Sequence, residues 1–196
     1  MAASNNTGFD SKRTRLTSEI ANLLQARGVA QIPLREIAAE LGTSDRMLLY
    51  YFGDKAALID ASVREVSNRF NAGLAAALRK QAYSPQDLLS EMARLVISPK
   101  LAPMMHVWND VAARGARGEE PYRAIATGFV QSAVGWFEGK LSVPDGAKRR
   151  VIARLLLIII EGVRIVDSVH DDSSKDALRH LSNLLASAGN RRQRNA

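Results

Sequence analysis

A glycine set between two short apolar faces constrains this chain more than any other feature. Residues 33 to 58 read PLREIAAELGTSDRMLLYYFGDKAAL. Ile37, Ala38 and Leu41 fall on one helical face, Gly42 interrupts the pattern, and Leu48 and Phe52 resume it, which is the spacing of a helix-turn-helix. Ala38 has no bulk beyond Cβ, so a second helix can cross close to the first there, with Ile37, Leu41 and Leu48 filling the wedge. Gly42 can adopt the left-handed conformation that ends a helix and turns the chain within a few residues. Ser44 is a good N-cap for the second helix, expected over about 45 to 51, although Met47 stands where a capping box would place Glu. Gly53 and Asp54 then begin another turn and cap.

On that second helix Leu48, Tyr51 and Phe52 are expected to face inward and Arg46, Leu49 and Tyr50 outward. An exposed Leu and Tyr beside an Arg suit the major groove of DNA, which offers thymine methyls, guanine acceptors and phosphates together. The plain alternative is a tight helical corner in an all-α core.

Residues 36 to 58 resemble the DNA-binding signature of the TetR family of bacterial repressors, which reads close to IAxxAGVSxGTLYYHFxxKxxLL. Ile37, Ala38, Gly42, Ser44, Leu48, Tyr50, Phe52, Lys55 and Leu58 match it as they stand. The chain departs from it at Leu41 (usually Ala), Thr43 (Val), Leu49 (Tyr) and Tyr51 (His). It departs again at Met47 (Thr) and at Asp45 and Arg46, where Lys and Gly are common. Met47 and Leu49 thereby lose two groups that usually reach phosphates or base edges, so no relative's operator can be transferred to this chain. Pro33 also replaces a hydroxyl residue that often touches phosphate.

Arg46 and Tyr50, on the outward face, are the expected groove contacts, with Thr43, Ser44, Tyr51 and Lys55 mainly on phosphates. Lys55 opens the next helix, where the helix dipole favours an acid; beside DNA, the same Lys and the helix N-terminal amides would hold a phosphate. Lys12, Arg13 and Arg15 open the first helix, expected over about 12 to 28. They read equally as an arm over the DNA backbone or as a solvated lead-in.

Charge supports a polyanionic partner without locating it. The net charge is +7, yet residues 1 to 55 carry seven Lys or Arg against six acids. Much of the excess lies at Lys148, Arg149 and Arg150 and at Arg191, Arg192 and Arg194. The absence of cysteine excludes disulfides and Cys-ligated zinc. The first residues lack the apolar core of a signal peptide. The longest strongly apolar run, Leu155 to Ile160, falls far short of the roughly 20 residues needed to span a bilayer. A cytoplasmic protein without a membrane anchor is the expectation.

The rest of the chain reads as helices over about 55 to 80, 84 to 98, 103 to 115, 120 to 141, 145 to 169 and 174 to 188. The fold class expected is all-α: a disordered lead-in (1–11), a three-helix DNA-binding domain (12–54), a helical ligand-binding and dimerisation domain (55–188) and a basic tail (189–196). The helix from 145 to 169 is apolar on nearly every side from Leu155 to Ile160, so it must be covered on every side. A second subunit is a natural cover, and the Leu178, Leu181, Leu184 and Leu185 stripe follows it. The resemblance implies a homodimer through these last two helices. An internal core helix in a monomer stays open.

Met104, Trp108, Phe129, Trp136 and Phe137, with the polar His106, Asn109, Glu161 and Arg164 among them, are the candidate ligand-binding residues. Such residues at helical spacing also make plain core. Glu161 follows six apolar residues and requires a partner, either Arg164 or a ligand. The resemblance implies a small-molecule effector, and the aromatic content suggests one that is partly apolar or cationic.

Enzyme chemistry finds no support: the chain has no phosphate loop, nucleophile elbow or HExxH, and His106, His170 and His180 have no metal-ligand spacing. No cofactor or metal is expected. The function expected is therefore a transcriptional repressor released from a palindromic operator by an effector. A DNA-binding dimer without an effector remains open, as does a helical small-molecule binder or enzyme whose head has stopped reading DNA.

Overall fold

In the computed structural model, residues 3–29, 32–96, 98–169, 176–178 and 180–181 are described. They form eight named α-helices: α1 (Ala3–Arg27), α2 (Leu34–Glu40), α3 (Asp45–Phe52), α4 (Lys55–Ala77), α5 (Pro85–Val96), α6 (Ala102–Ala116), α7 (Tyr122–Lys140) and α8 (Gly146–Val169). The expected all-α class is what is found. The nearest approach to a sheet among the described residues is an isolated bridge between Tyr83 and Leu141. Of the expected last helix, residues 176–178, 180 and 181 are helical, while Leu184, Leu185 and the basic tail lie outside the described residues.

The chain divides into two compact units, residues 1–73 with 103–127, and residues 74–102 with 128–196. The first unit thus contains the three-helix head together with most of α4 and α6. Its core is built by Leu16, Ile20, Ala21 and Leu24 of α1, Ile37 and Ala38 of α2, Leu48 and Phe52 of α3, and Leu58 and Ile59 of α4, all buried. These are the apolar positions at helical spacing, so the local pattern and the packing agree.

Two polar joints fix this unit. Arg69 on α4 donates from Nη1 to Asn22 Oδ1 (2.6 Å) and from Nη2 to the Ser18 hydroxyl (2.7 Å) and carbonyl (3.1 Å), while its Nε pairs with Glu65 at 2.8 Å. One planar guanidinium thereby braces α1 along α4. At the end of α1, Gly28 takes φ +79° and donates to the Leu24 carbonyl at 2.8 Å. The next amide, Val29 N–H, donates to Asp110 Oδ2 of α6 at 2.8 Å. A Cβ on Gly28 would collide with that carboxylate, so this glycine serves both the turn and the close approach.

In the second unit α5 lies along α8. Leu88, Leu89, Met92, Leu95 and Val96 on α5, and Ala153, Leu156, Leu157, Ile160 and Val163 on α8, are buried. The opposite side of α8 is not: Val151, Leu155, Ile158, Ile165, Val166 and Val169 are all exposed, Ile158 to 66% and Val169 to 82%. The helix expected to be apolar all round therefore carries two stripes on opposite faces, one of them uncovered. Tyr83 exchanges backbone hydrogen bonds with Lys140 and Ser142, both 2.8 Å. No described helix is long and apolar enough to cross a membrane.

Candidate nucleic-acid interface

The corner between α2 and α3 forms as the spacing predicts. Pro33 stands just before the first turn of α2 rather than inside it, and its carbonyl accepts from Glu36 N–H at 2.9 Å and Ile37 N–H at 3.2 Å. Having no N–H costs Pro nothing there. Gly42 takes φ +59°, and Thr43 N–H returns to the Ala38 carbonyl at 2.9 Å. Leu41 ends α2 half-buried, so the wedge is filled chiefly by Ile37 and Leu48, both fully buried.

Ser44 is extended (φ −122°, ψ 155°), and its hydroxyl accepts from Met47 N–H at 3.3 Å, capping α3. Gly53 (φ +86°) closes α3 with a 2.8 Å bond to the Leu49 carbonyl, and Asp54 caps α4 by accepting from Ala57 N–H at 2.8 Å.

The orientation of α3 follows from its two anchors. Leu48 and Phe52 are buried, and the opposite arc is open: Tyr50 is 65% exposed, Met47 and Leu49 each 39%, and Arg46 is exposed. Ser44 and Lys55 are also exposed, Thr43 half-buried. Tyr51, placed by its spacing inside the fold, is only half-buried and packs on Phe9 with ring centroids 4.9 Å apart.

Phe9 is the residue that sequence reading missed. α1 begins at Ala3, about two and a half turns before the expected start at residue 12. The added turns bring Phe9 against both Tyr50 (5.5 Å, edge-on) and Tyr51, which also meet each other edge-on at 5.2 Å. Such T-shaped geometry is favoured by the ring quadrupoles. A single Phe in a polar stretch carries no period, and only its position one and two turns before Arg13 and Leu16 hinted at a helix.

The three bases of α1 are less free than a bare arm would be. Arg13 lies over the Phe52 ring at 5.6 Å, and Arg15 is 3.5 Å from Glu19. Lys12 is half-buried.

The candidate ligand-binding residues fall into both units. Met104, His106, Trp108 and Asn109 belong to the first, where Trp108 is buried, Met104 and Asn109 are half-buried and His106 is exposed. Phe129, Trp136, Phe137, Glu161 and Arg164 belong to the second. There Trp136 and Phe137 meet edge-on at 5.3 Å, and Glu161 pairs with the buried Arg164, one of the two partners that the sequence left open for it. Among the described residues no cluster of three or more His, Asp or Glu could hold a metal.

A glycine-pivoted pair of helices, the second held by its inner face with a cationic and aromatic arc turned outward, defines a helix-turn-helix DNA-binding protein. Residues 16–62 match the sequence model of the bacterial regulatory proteins, tetR family. Over this segment the chain is similar to the tetR family of bacterial regulatory proteins, and the matched residues hold the helix-turn-helix.

Solved structures extend the likeness in fold to most of the chain. The multidrug binding protein EbrR, complexed with imidazole, has a TM-score of 0.66 at 17% identity, over 89% of each chain. A putative TetR-family transcriptional regulator from Rhodococcus sp. gives 0.66 at 19% identity, over 91% of this chain and 98% of its own. A putative transcriptional regulator from Saccharomonospora viridis in complex with choline gives 0.61 at 20%, over 89% and 94%. Comparison with curated proteins finds no match.

Proposed function

We propose that the protein is a homodimeric repressor that binds a palindromic operator and is released from it by a small-molecule effector. The observation that carries the DNA-reading half is the arc of α3 opposite Leu48 and Phe52, where Arg46 and Tyr50 stand exposed on a helix fixed from behind. Arg46 and Tyr50 contact base edges. Thr43, Ser44, Tyr51 and Lys55 serve phosphates, with Lys12 and Arg13 adding contacts from α1. Pairing is supported by the uncovered stripe on α8: residues 151, 155, 158, 165 and 169 recur at three- and four-residue steps, with Gly162 completing the series. A second copy of the same helix is the natural cover for such a seam, together with the helix expected after it.

The candidates for effector binding are taken within each unit by itself: Met104, His106, Trp108 and Asn109 in the first, and Phe129, Trp136, Phe137, Glu161 and Arg164 in the second. That two structural neighbours were solved with imidazole and with choline supports a small, partly cationic effector, which aromatic rings and a carboxylate suit. Release is mass action: an effector that binds better to one spacing of the two heads shifts the population towards it.

The test is equilibrium binding of the full chain to palindromic duplexes selected from random DNA, titrated with salt. The expected result is two subunits per duplex, a preference of at least about a thousand-fold over scrambled DNA, and an affinity that falls steeply between about 50 and 200 mM salt, with a slope that grows with the number of phosphate contacts. Equal binding to palindromic and scrambled duplexes would contradict the proposal.

A further inference from the structure

The outward arc of α3 has an unusual chemical order. At about 100° per residue, Leu49, Arg46, Tyr50 and Met47 follow one another around the side opposite Leu48 and Phe52. The centre of the arc is polar and both margins are apolar. Leu49 and Met47 are each 39% exposed, and neither can donate or accept a useful hydrogen bond to a base edge. Tyr50 is held edge-on by Phe9 and Tyr51, so its ring is constrained in the middle of the arc.

Resting on the DNA-reading function proposed above, we infer that the operator half-site is a G·C pair bracketed by A·T pairs: the guanine read by Arg46, the flanking thymines by their methyl groups against Leu49 and Met47. In the major groove guanine presents O6 and N7 acceptors that match the guanidinium fork, and thymine alone presents a methyl. A Leu or Met margin can distinguish bases only by that methyl. A cytosine amine or an adenine amine placed there would lose its water and gain no partner. Charge complementarity favours DNA as the occupant over an apolar protein surface, because Arg46 in the arc and Lys55, three residues after the end of α3, are both exposed.

The experiment uses the full chain and a duplex selected from random DNA, altered one atom group at a time. Replacing each bracketing thymine by deoxyuridine removes only a methyl and is expected to weaken binding about four-fold per site, the worth of one buried carbon group. Leu49→Ala is expected to abolish the sensitivity at one position and Met47→Ala at the other, with melting temperatures unchanged because both side chains lie on the open arc. Replacing the guanine by 7-deazaguanine is expected to cost about ten-fold, as loss of half of a bidentate contact, in the wild type but not in Arg46→Ala. Selected sites without the bracketing thymines, or a uracil duplex bound as tightly as the thymine one, would overturn the inference while leaving DNA reading intact. A chain that prefers no duplex over any other would overturn both.

Discussion

Helices α3 and α8 both leave apolar side chains exposed, and they do so in opposite ways. α3 is eight residues long, stopped by Gly53, and its exposed Met47, Leu49 and Tyr50 alternate with Arg46. α8 is 24 residues long and exposes Val151, Leu155, Ile158, Ile165, Val166 and Val169 in one seam, directly opposite the face it buries with α5. A short mixed arc suits a polyanion that also carries methyl groups. A long, uninterrupted apolar seam suits another protein surface of the same kind. Exposure alone does not distinguish a reading surface from a pairing surface; the interleaved charge does.

The largest effect that separates the two surfaces should come from Ile158→Glu. A carboxylate in the middle of the α8 seam is expected to leave helicity unchanged, convert the proposed dimer to a monomer in sedimentation, and lower operator affinity at least about a hundred-fold through lost bivalency. Val130→Glu, at an exposed apolar residue that belongs to α7 and not to the α8 stripe, should change neither. Arg46→Ala comes next: operator affinity is expected to drop about 10- to 100-fold and base preference to relax at one position, with the sedimentation profile unaltered. Lys55→Ala should weaken every duplex alike, by a few-fold, and reduce the slope of affinity against salt by about one. The smallest effect is that of Ser44→Ala, which removes the cap on Met47 N–H and is expected to cost about 1 kcal/mol in thermal unfolding, with base preference retained.

The head was legible because its determinants are local. Ala38, Gly42, Leu48 and Phe52 lie within fifteen residues of one another, and residue type and spacing state the same geometry. The Glu161–Arg164 pair was legible for the same reason, being one turn apart. What escaped were contacts between residues distant in the chain. Nothing near Arg69 indicates that its guanidinium braces Ser18 and Asn22, and nothing near Gly28 indicates the Asp110 carboxylate 82 residues on. Phe9 escaped because one aromatic in a polar run has no periodicity to reveal its helix. The two faces of α8 merged into one apolar run in sequence, and only packing against α5 separates the covered stripe from the bare one.

The outward arc of α3 is most directly tested by photocrosslinking. With Tyr50 replaced by p-benzoylphenylalanine and the protein bound to its selected duplex, irradiation should join the side chain to bases at one position in each half-site. A chain that still binds the duplex yet crosslinks only to protein would contradict the account.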